Sequence, residues 1–219
     1  LSLGTSGVVY TRSDAPVHDL AGYVCNYADA TGDHLPLVAT LNAARNFDAG
    51  ANLLGCSHEE LSHLALDAEP GAGGVTLLPY FEGERTPDLP HARASLHGAS
   101  LTNFTRANFA RAVIEGTLAS QVEMLDALHE QHLPVDRVLL IGGAARSAAV
   151  RSILNQMVDV PIVIPAVDEY VTKGAAMQAA STLTGTFPEW HVEREELAPA
   201  PTQPRIRRQH AQAMKALGY

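Results

Sequence analysis

The sequence feature that most constrains the fold is an alternation of apolar runs and helical patterns in the last third of the chain. Residues 138–141 read Val-Leu-Leu-Ile and are followed by a glycine pair, and a second apolar run occupies residues 160–164. Short, wholly apolar runs are typical of strands buried on both faces. Apolar residues recur at helical spacing after each run: Val150, Ile153, Leu154 and Met157, then Ala175, Ala176, Ala179, Ala180 and Leu183. The order strand, helix, strand, helix predicts an α/β layer.

Earlier segments add further strands and helices to this layer. The first eleven residues alternate loosely and are interrupted by small residues, which is typical of a β-hairpin. The patterns also predict strands at 22–27, 34–38 and 75–81, and helices at 40–54, 57–66 and from Thr105 to Pro134. A Pro-rich run at 198–204 precedes a last helical pattern at 205–217.

Composition and charge disfavour several classes of protein. Hydrophobic residues make up 46% of the 219 residues and charged residues 18%, as in a globular chain rather than a disordered one. The formal net charge of −9, without a basic run, disfavours binding to nucleic acid or to an anionic membrane surface. No apolar run approaches the length that crosses a bilayer, and no secretory signal begins the sequence. The two cysteines form no CxxC pair, so we expect a cytoplasmic protein.

Two glycine-rich turns are the candidates for binding a phosphorylated ligand. In Gly4-Thr5-Ser6-Gly7, small residues let backbone N–H groups approach a phosphate and two hydroxyls add donors. A plain hairpin turn is the alternative. Gly142-Gly143-Ala144 follows a strand and opens a helix, where a nucleotide can lie against the backbone near the positive helix end. The alternative is a tight turn that needs a positive φ. Ser147 is either a helix cap or a contact to a base.

The residues of the metal-ligating types have simpler interpretations. Asp168 and Glu169 precede a helix, and we expect them to complement its dipole rather than to bind a metal ion. His129 and His132 lie near the end of the long helix without further ligands in reach. We therefore expect a solvated helix end there, and no metal site in the chain.

Other charged residues are expected to be structural. Glu82, Glu84 and Arg85 form a cluster that predicts a solvated ion-pair loop. Glu115 lies beside the apolar face of the long helix, and we expect a half-buried carboxylate bonded to neighbouring backbone. The sequence contains no Walker A loop, no zinc-ligand spacing and no Ser–His–Asp order.

Five segments, taken together and in order, resemble the FGGY carbohydrate kinases, and the xylulokinases in particular. The resemblance extends over essentially the whole chain. Two positions depart from the usual residues: Ala99 replaces a larger aliphatic residue, and Ala144 replaces a glycine found in many xylulokinases. The segments are 1–9, 79–87 continued by 91–94, 94–115, 141–147 and 174–176.

The resemblance implies an α/β fold of the ribonuclease-H-like, actin-like ATPase type, with a mixed sheet flanked by helices. It assigns residues 1–195 to the C-terminal, nucleotide-binding lobe of a two-lobed kinase. Residues 196–219 are assigned to a linker and a terminal helix that packs on the same lobe. The sugar-binding lobe and the catalytic aspartate are expected upstream of Leu1, so we expect the chain alone to be inactive.

The same resemblance implies a function and a set of site residues. The expected reaction transfers the γ-phosphate of ATP to D-xylulose, with Mg²⁺ as cofactor; alternatives are a ribulose, gluconate or glycerol kinase, or an actin-like nucleotide switch. The expected partners are the nucleotide and the sugar, and a homodimer is an option. The predicted phosphate-binding residues are Gly4, Thr5 and Ser6, and the predicted adenosine-binding residues are Gly142, Gly143, Ala144, Ser147 and Asn103.

Overall fold

A computed structural model describes residues 1–219 and shows an α/β fold with mixed sheets flanked by helices. The nine strands are β1 (Ser2–Leu3), β2 (Gly7–Tyr10), β3 (Cys25–Ala28), β4 (His34–Thr40), β5 (Thr76–Leu78), β6 (Ser95–His97), β7 (Val138–Leu139), β8 (Ile162–Pro165) and β9 (Arg194–Leu197). The six α-helices are α1 (Ala44–Leu54), α2 (His58–Asp67), α3 (Arg106–Glu130), α4 (Ala148–Asn155), α5 (Tyr170–Thr184) and α6 (Pro204–Ala216). None of the helices combines the length and apolar character needed to cross a membrane.

The main sheet is assembled from two parts of the chain. Strands β1, β2, β4 and β3 pair antiparallel in that order. Strand β8 pairs parallel with β7 and antiparallel with β9. A bridge joins the two parts, because the amide of Leu3 donates to the carbonyl of Ile141 and the amide of Ile141 to that of Leu1, each at 2.9 Å. The first hairpin and the last third of the chain therefore share one sheet.

Helix α3 lies at the centre of the core. Thr105 caps its first turn by accepting a hydrogen bond from the amide of Asn108. The helix packs against α1, α2, α4 and both β4 and β5. At Gly116 a Cβ atom would overlap the carbonyl oxygen of Leu77, so glycine allows β5 to approach the helix closely.

Helix α6 packs on β5 and α3 and buries Ile206, His210 and Ala213. Its docking face is partly polar, because Arg207 pairs with Asp126 and His210 Nδ1 lies 2.9 Å from Glu123 Oε1. The division into a lobe at 1–195 and a linker with terminal helix at 196–219 stays a prediction.

Two sequence predictions are wrong in detail. Residues 138–141 were expected to be buried on both faces, but Leu139 is 47% exposed while Val138 and Leu140 are buried. Alternate residues of a strand face opposite sides, so only one face of this strand is covered. The helix expected from residue 40 begins at Ala44, since β4 continues to Thr40 and a turn follows it. Strand pairing with β2 determines the backbone of residues 37–40, and this pairing overrides the local helical pattern.

Candidate functional site

The first glycine-rich turn is the tip of the β1–β2 hairpin. The amide of Gly4 donates to the carbonyl of Ser6 at 3.1 Å, which closes a tight turn, and the side chains of Thr5 and Ser6 are exposed. The carbonyl of Gly4 accepts the amide of Ala44 at 2.9 Å. The turn is therefore held against the start of α1 while its hydroxyls point to solvent.

The second glycine-rich turn lies against the first hairpin. Gly142 has a φ of 96°, in the left-handed region, and a Cβ there would overlap the carbonyl group of Leu3. Residues Gly143–Arg146 then form a short 3-10 helix, and no atom lies within 4 Å of the position of a Cβ on Gly143. The structure thus brings the two glycine-rich turns to one edge of the sheet, with open space above Gly143.

Ser147 follows this turn and caps α4, which is one of the two roles that the sequence allows. Its Oγ accepts the amide of Val150 at 3.3 Å. The same oxygen lies 3.1 Å from Oγ of Ser62, which in turn accepts the amide of Ala149 at 3.0 Å. Ser147 therefore joins the start of α4 to α2, directly after the second glycine-rich turn.

Asn103 lies in a different cluster of loops. Its Oδ1 accepts the amide of Ser100 at 2.7 Å, and its Nδ2 donates to the carbonyls of Gly73 at 3.1 Å and Gly98 at 2.9 Å. Each polar atom of the side chain is thus used to join loops before α3. No hydrogen bond joins Asn103 to the Gly142 turn, so its assignment to the adenosine site stays a prediction.

Comparison with known proteins identifies the family of the chain. Residues 1–183 match the C-terminal domain of the FGGY family of carbohydrate kinases. The chain belongs to this family. The xylulose kinase of Streptomyces rubiginosus is 39% identical over 209 residues, which cover 95% of this chain and 42% of that protein. The xylulose kinase of Haemophilus influenzae is 36% identical over 179 residues, which cover 82% of this chain and 36% of that protein.

Solved structures agree with the sequence comparison. The crystal structure of xylulose kinase from Bifidobacterium adolescentis matches with a TM-score of 0.86 and 44% identity, over 97% of this chain and 42% of that chain. Xylulose kinase from Lactobacillus acidophilus shares the fold, with a TM-score of 0.91 at 23% identity, over 99% of this chain and 46% of that one. The actin-like ATPase fold predicted from the resemblance is therefore confirmed. The chain spans less than half the length of these relatives.

The loop after β5 differs from its prediction. Glu82 is exposed and pairs with Arg45 at 2.8 Å, as a solvated ion pair should. Glu84 is only 1% exposed, so the expected solvated position is wrong for this residue. Its carboxylate accepts hydrogen bonds from the turn after β4, and these bonds replace the water that a buried carboxylate lacks. No local sequence pattern distinguishes Glu84 from Glu82.

Glu115 is more deeply buried than the predicted half-buried carboxylate. Its Oε1 accepts the backbone amide of Gly71 at 2.9 Å, as expected of a backbone bond, and also Nε of Arg111 at 2.6 Å. Burial raises the pKa of Glu115, while those two partners act in the opposite direction. The pair supports the loop before β5 and has a structural role.

Asp168 behaves as a local helix-end residue. It accepts the amide of Glu169 at 2.8 Å and pairs with Lys173 in the first turn of α5. The hydrogen bond from Lys173, followed by the bond from the Glu169 amide, lowers the pKa of Asp168. This arrangement agrees with the expected complement to the helix dipole.

Proposed function

We propose that this chain is the ATP-binding part of a sugar kinase that transfers the γ-phosphate of ATP to D-xylulose. The observation that carries the proposal is the meeting of two glycine-rich turns, with Gly142 packed on the carbonyl group of Leu3. The relatives that are 36–39% identical are xylulose kinases. Because the chain spans only 36–44% of their length, we assign the groups that hold the sugar to the rest of the full-length protein.

Each turn has a distinct part in binding the nucleotide. The backbone N–H groups at Gly4, Thr5 and Ser6, with the two exposed hydroxyls, hold the β- and γ-phosphates. Adenosine lies along the turn formed by Gly142, Gly143 and Ala144, in the open space beside Gly143, with Ser147 near the edge of the adenine. These contacts fix the γ-phosphate in line with the acceptor, which is the main contribution a protein makes to phosphoryl transfer.

The resemblance also implies Mg²⁺ together with the nucleotide. The chain brings no three His, Cys, Asp or Glu side chains close enough to hold a metal ion. Mg²⁺ that accompanies a nucleotide is usually held by the phosphates, by water and by one or two carboxylates, and it would neutralise the charge of the transferred phosphoryl group. The base that takes the proton of the sugar hydroxyl is likewise assigned to the rest of the full-length protein.

The decisive experiment measures ADP release by the full-length protein that contains this chain. D-xylulose, ribulose, gluconate and glycerol are compared with a control that lacks sugar. Selective release with D-xylulose is the expected result. Release with another of these sugars would retain the kinase mechanism and overturn the substrate. Nucleotide binding without any sugar-dependent release would overturn the kinase proposal and favour an actin-like switch.

The substitution Gly143→Val tests the adenosine site directly. A β-branched side chain would fill the open space above the turn, and we expect about 10- to 100-fold weaker ADP binding, equivalent to the ~1–3 kcal/mol that overpacking costs. Isothermal titration of the full-length protein measures the affinity. Ala216→Val, on an exposed position of α6, adds the same side chain away from the site and should bind ADP like the wild type. Unchanged affinity in Gly143→Val would remove the adenosine assignment.

A further inference from the structure

The turn between β4 and α1 supports the tip of the first hairpin. Gly7 pairs with Thr40 in the sheet, and the amide of Ala44 donates to the carbonyl of Gly4 at 2.9 Å. Residues 41–43 connect these two contacts. A shift of this turn would therefore move the hairpin tip that carries Thr5 and Ser6.

A single buried carboxylate holds that turn from the other side. Oε1 of Glu84 accepts the amide of Leu41 at 2.6 Å, and its Oε2 accepts both the amide of Asn42 at 3.3 Å and Nδ2 of Asn42 at 2.9 Å. Oε1 also accepts the amide of Arg85 at 2.7 Å. Asn42 Nδ2 further donates to the carbonyl of Gly83 at 2.7 Å. Four N–H groups thus converge on one carboxylate, two on each oxygen.

The contacts continue from the turn to the hairpin through α3. Nε2 of Gln121 donates to Oγ1 of Thr40 at 3.1 Å and to the carbonyl of Asn42 at 3.4 Å. Oε1 of Gln121 is buried without a partner and lies where a Cβ of Gly7 would be. A chain of contacts therefore runs from Glu84 through Asn42 and Gln121 to Gly7.

We propose that Glu84 is a positioning residue for the phosphate-binding hairpin, acting through the turn at 41–43. The inference rests on the proposed function, because it assigns to Glu84 the placement of the groups that hold the ATP phosphates. Glu84 itself does not touch the nucleotide. It keeps the hairpin tip at the spacing that in-line transfer requires.

The substitution Glu84→Gln is informative because it replaces one acceptor oxygen by a donor NH₂ group without changing the volume of the side chain. Each carboxylate oxygen accepts two N–H donors, so an amide NH₂ in either place would face two other donors. The isosteric variant preserves volume but loses at least two hydrogen bonds. In the full-length kinase we expect kcat to fall by about 10²-fold, the effect of a misplaced reacting group, while the KM for the sugar stays unchanged.

The experiment compares Glu84→Gln with Glu82→Gln in the full-length protein. Glu82 is in the same loop and its side chain is 65% exposed, so its variant should keep wild-type kinetics. Hydrogen exchange of the amides of Gly4, Gly7 and Ala44 gives a readout that does not depend on activity. We expect faster exchange at these three amides in Glu84→Gln, with the core of α3 still protected.

Each outcome decides the proposal. A wild-type kcat in Glu84→Gln would overturn it. A lower kcat would also overturn it if the melting temperature falls while hydrogen exchange of the hairpin amides is unchanged. If the wild-type protein releases no ADP with any sugar, the proposed function fails. Hydrogen exchange of the amides of Gly4, Gly7 and Ala44 then decides by itself whether Glu84 positions the hairpin. If Glu84→Gln does not fold, Asn42→Ala removes the side-chain donor only, and unchanged hairpin exchange in that variant would reject the proposal.

Discussion

Helices α3 and α5 show that burial in this protein does not follow hydrophobicity. Fifteen of the 25 residues of α3 are buried, and these include Arg111, Glu115 and Gln121. None of the fifteen residues of α5 is buried, and even its apolar side chains are exposed: Val171 is 88% exposed and Leu183 is 90% exposed. Helix α3 packs against four other helices and three strands, whereas α5 buries none of its residues against another element. The position of a helix, more than its composition, decides which of its side chains contribute to stability.

The largest expected difference between the two helices concerns ion pairs. Arg111→Met leaves Glu115 as a buried, unpaired carboxylate, and we expect a loss of about 3–5 kcal/mol in the free energy of unfolding. Lys173→Met removes the exposed pair between Lys173 of α5 and Asp168, which precedes the helix, and should cost less than about 1 kcal/mol. Urea unfolding of the 219-residue chain measures both. Equal losses of unfolding free energy in Arg111→Met and Lys173→Met would contradict the difference between the two helices.

A second test uses leucine in both helices. Leu118→Ala creates a cavity in the core beside α3 and should cost about 2–5 kcal/mol, whereas Leu183→Ala on α5 should stay within about 0.5 kcal/mol of the wild type. Thermal and urea unfolding of this chain give the values. Repeating Leu183→Ala in the full-length protein sharpens the result, since a large cost only there would show that α5 is covered in that protein.

The smallest expected effects come from glycine-to-alanine substitutions, which should have opposite signs. Gly116→Ala places a methyl group against the carbonyl of Leu77 and should destabilise the chain by about 1–3 kcal/mol. At Gly174 in α5 there is open space, and alanine should stabilise the helix by about 0.5–1 kcal/mol. A shift of the unfolding midpoint in the same direction for both variants would break the comparison.

Much of the architecture could be predicted from short-range patterns. The apolar runs near Val138 and Ile162 predicted two strands of an α/β layer, and both strands are present as β7 and β8, which pair in parallel. Thr105 and Ser147 were expected at helix starts, and both cap their helices. These features depend on residues three or four apart, so a local pattern contains the information needed to find them.

Local sequence patterns predicted only part of the candidate site. The two glycine-rich turns were found by their composition, and the resemblance to FGGY kinases gave them a ligand. That Gly142 packs on Leu3 could not be read from either turn alone, because the contact joins segments about 140 residues apart. The nucleotide roles of Gly4, Thr5, Ser6, Ser147 and Asn103 remain predictions.

The sequence by itself determined the order of the helices and of most strands, the helix caps, the glycine-rich turns and the membership of the kinase family, but it did not reveal β6 and β9. Only the tertiary structure decided that Glu84 is buried while Glu82 is not, and that Gln121 lies beneath Gly7. Glu84 meets Leu41 across 43 residues of sequence, and Gln121 meets Thr40 across 81. The sequence does not show whether a carboxylate or an amide is hydrated or hydrogen-bonded to a distant turn. The packing of the chain determines which of the two occurs.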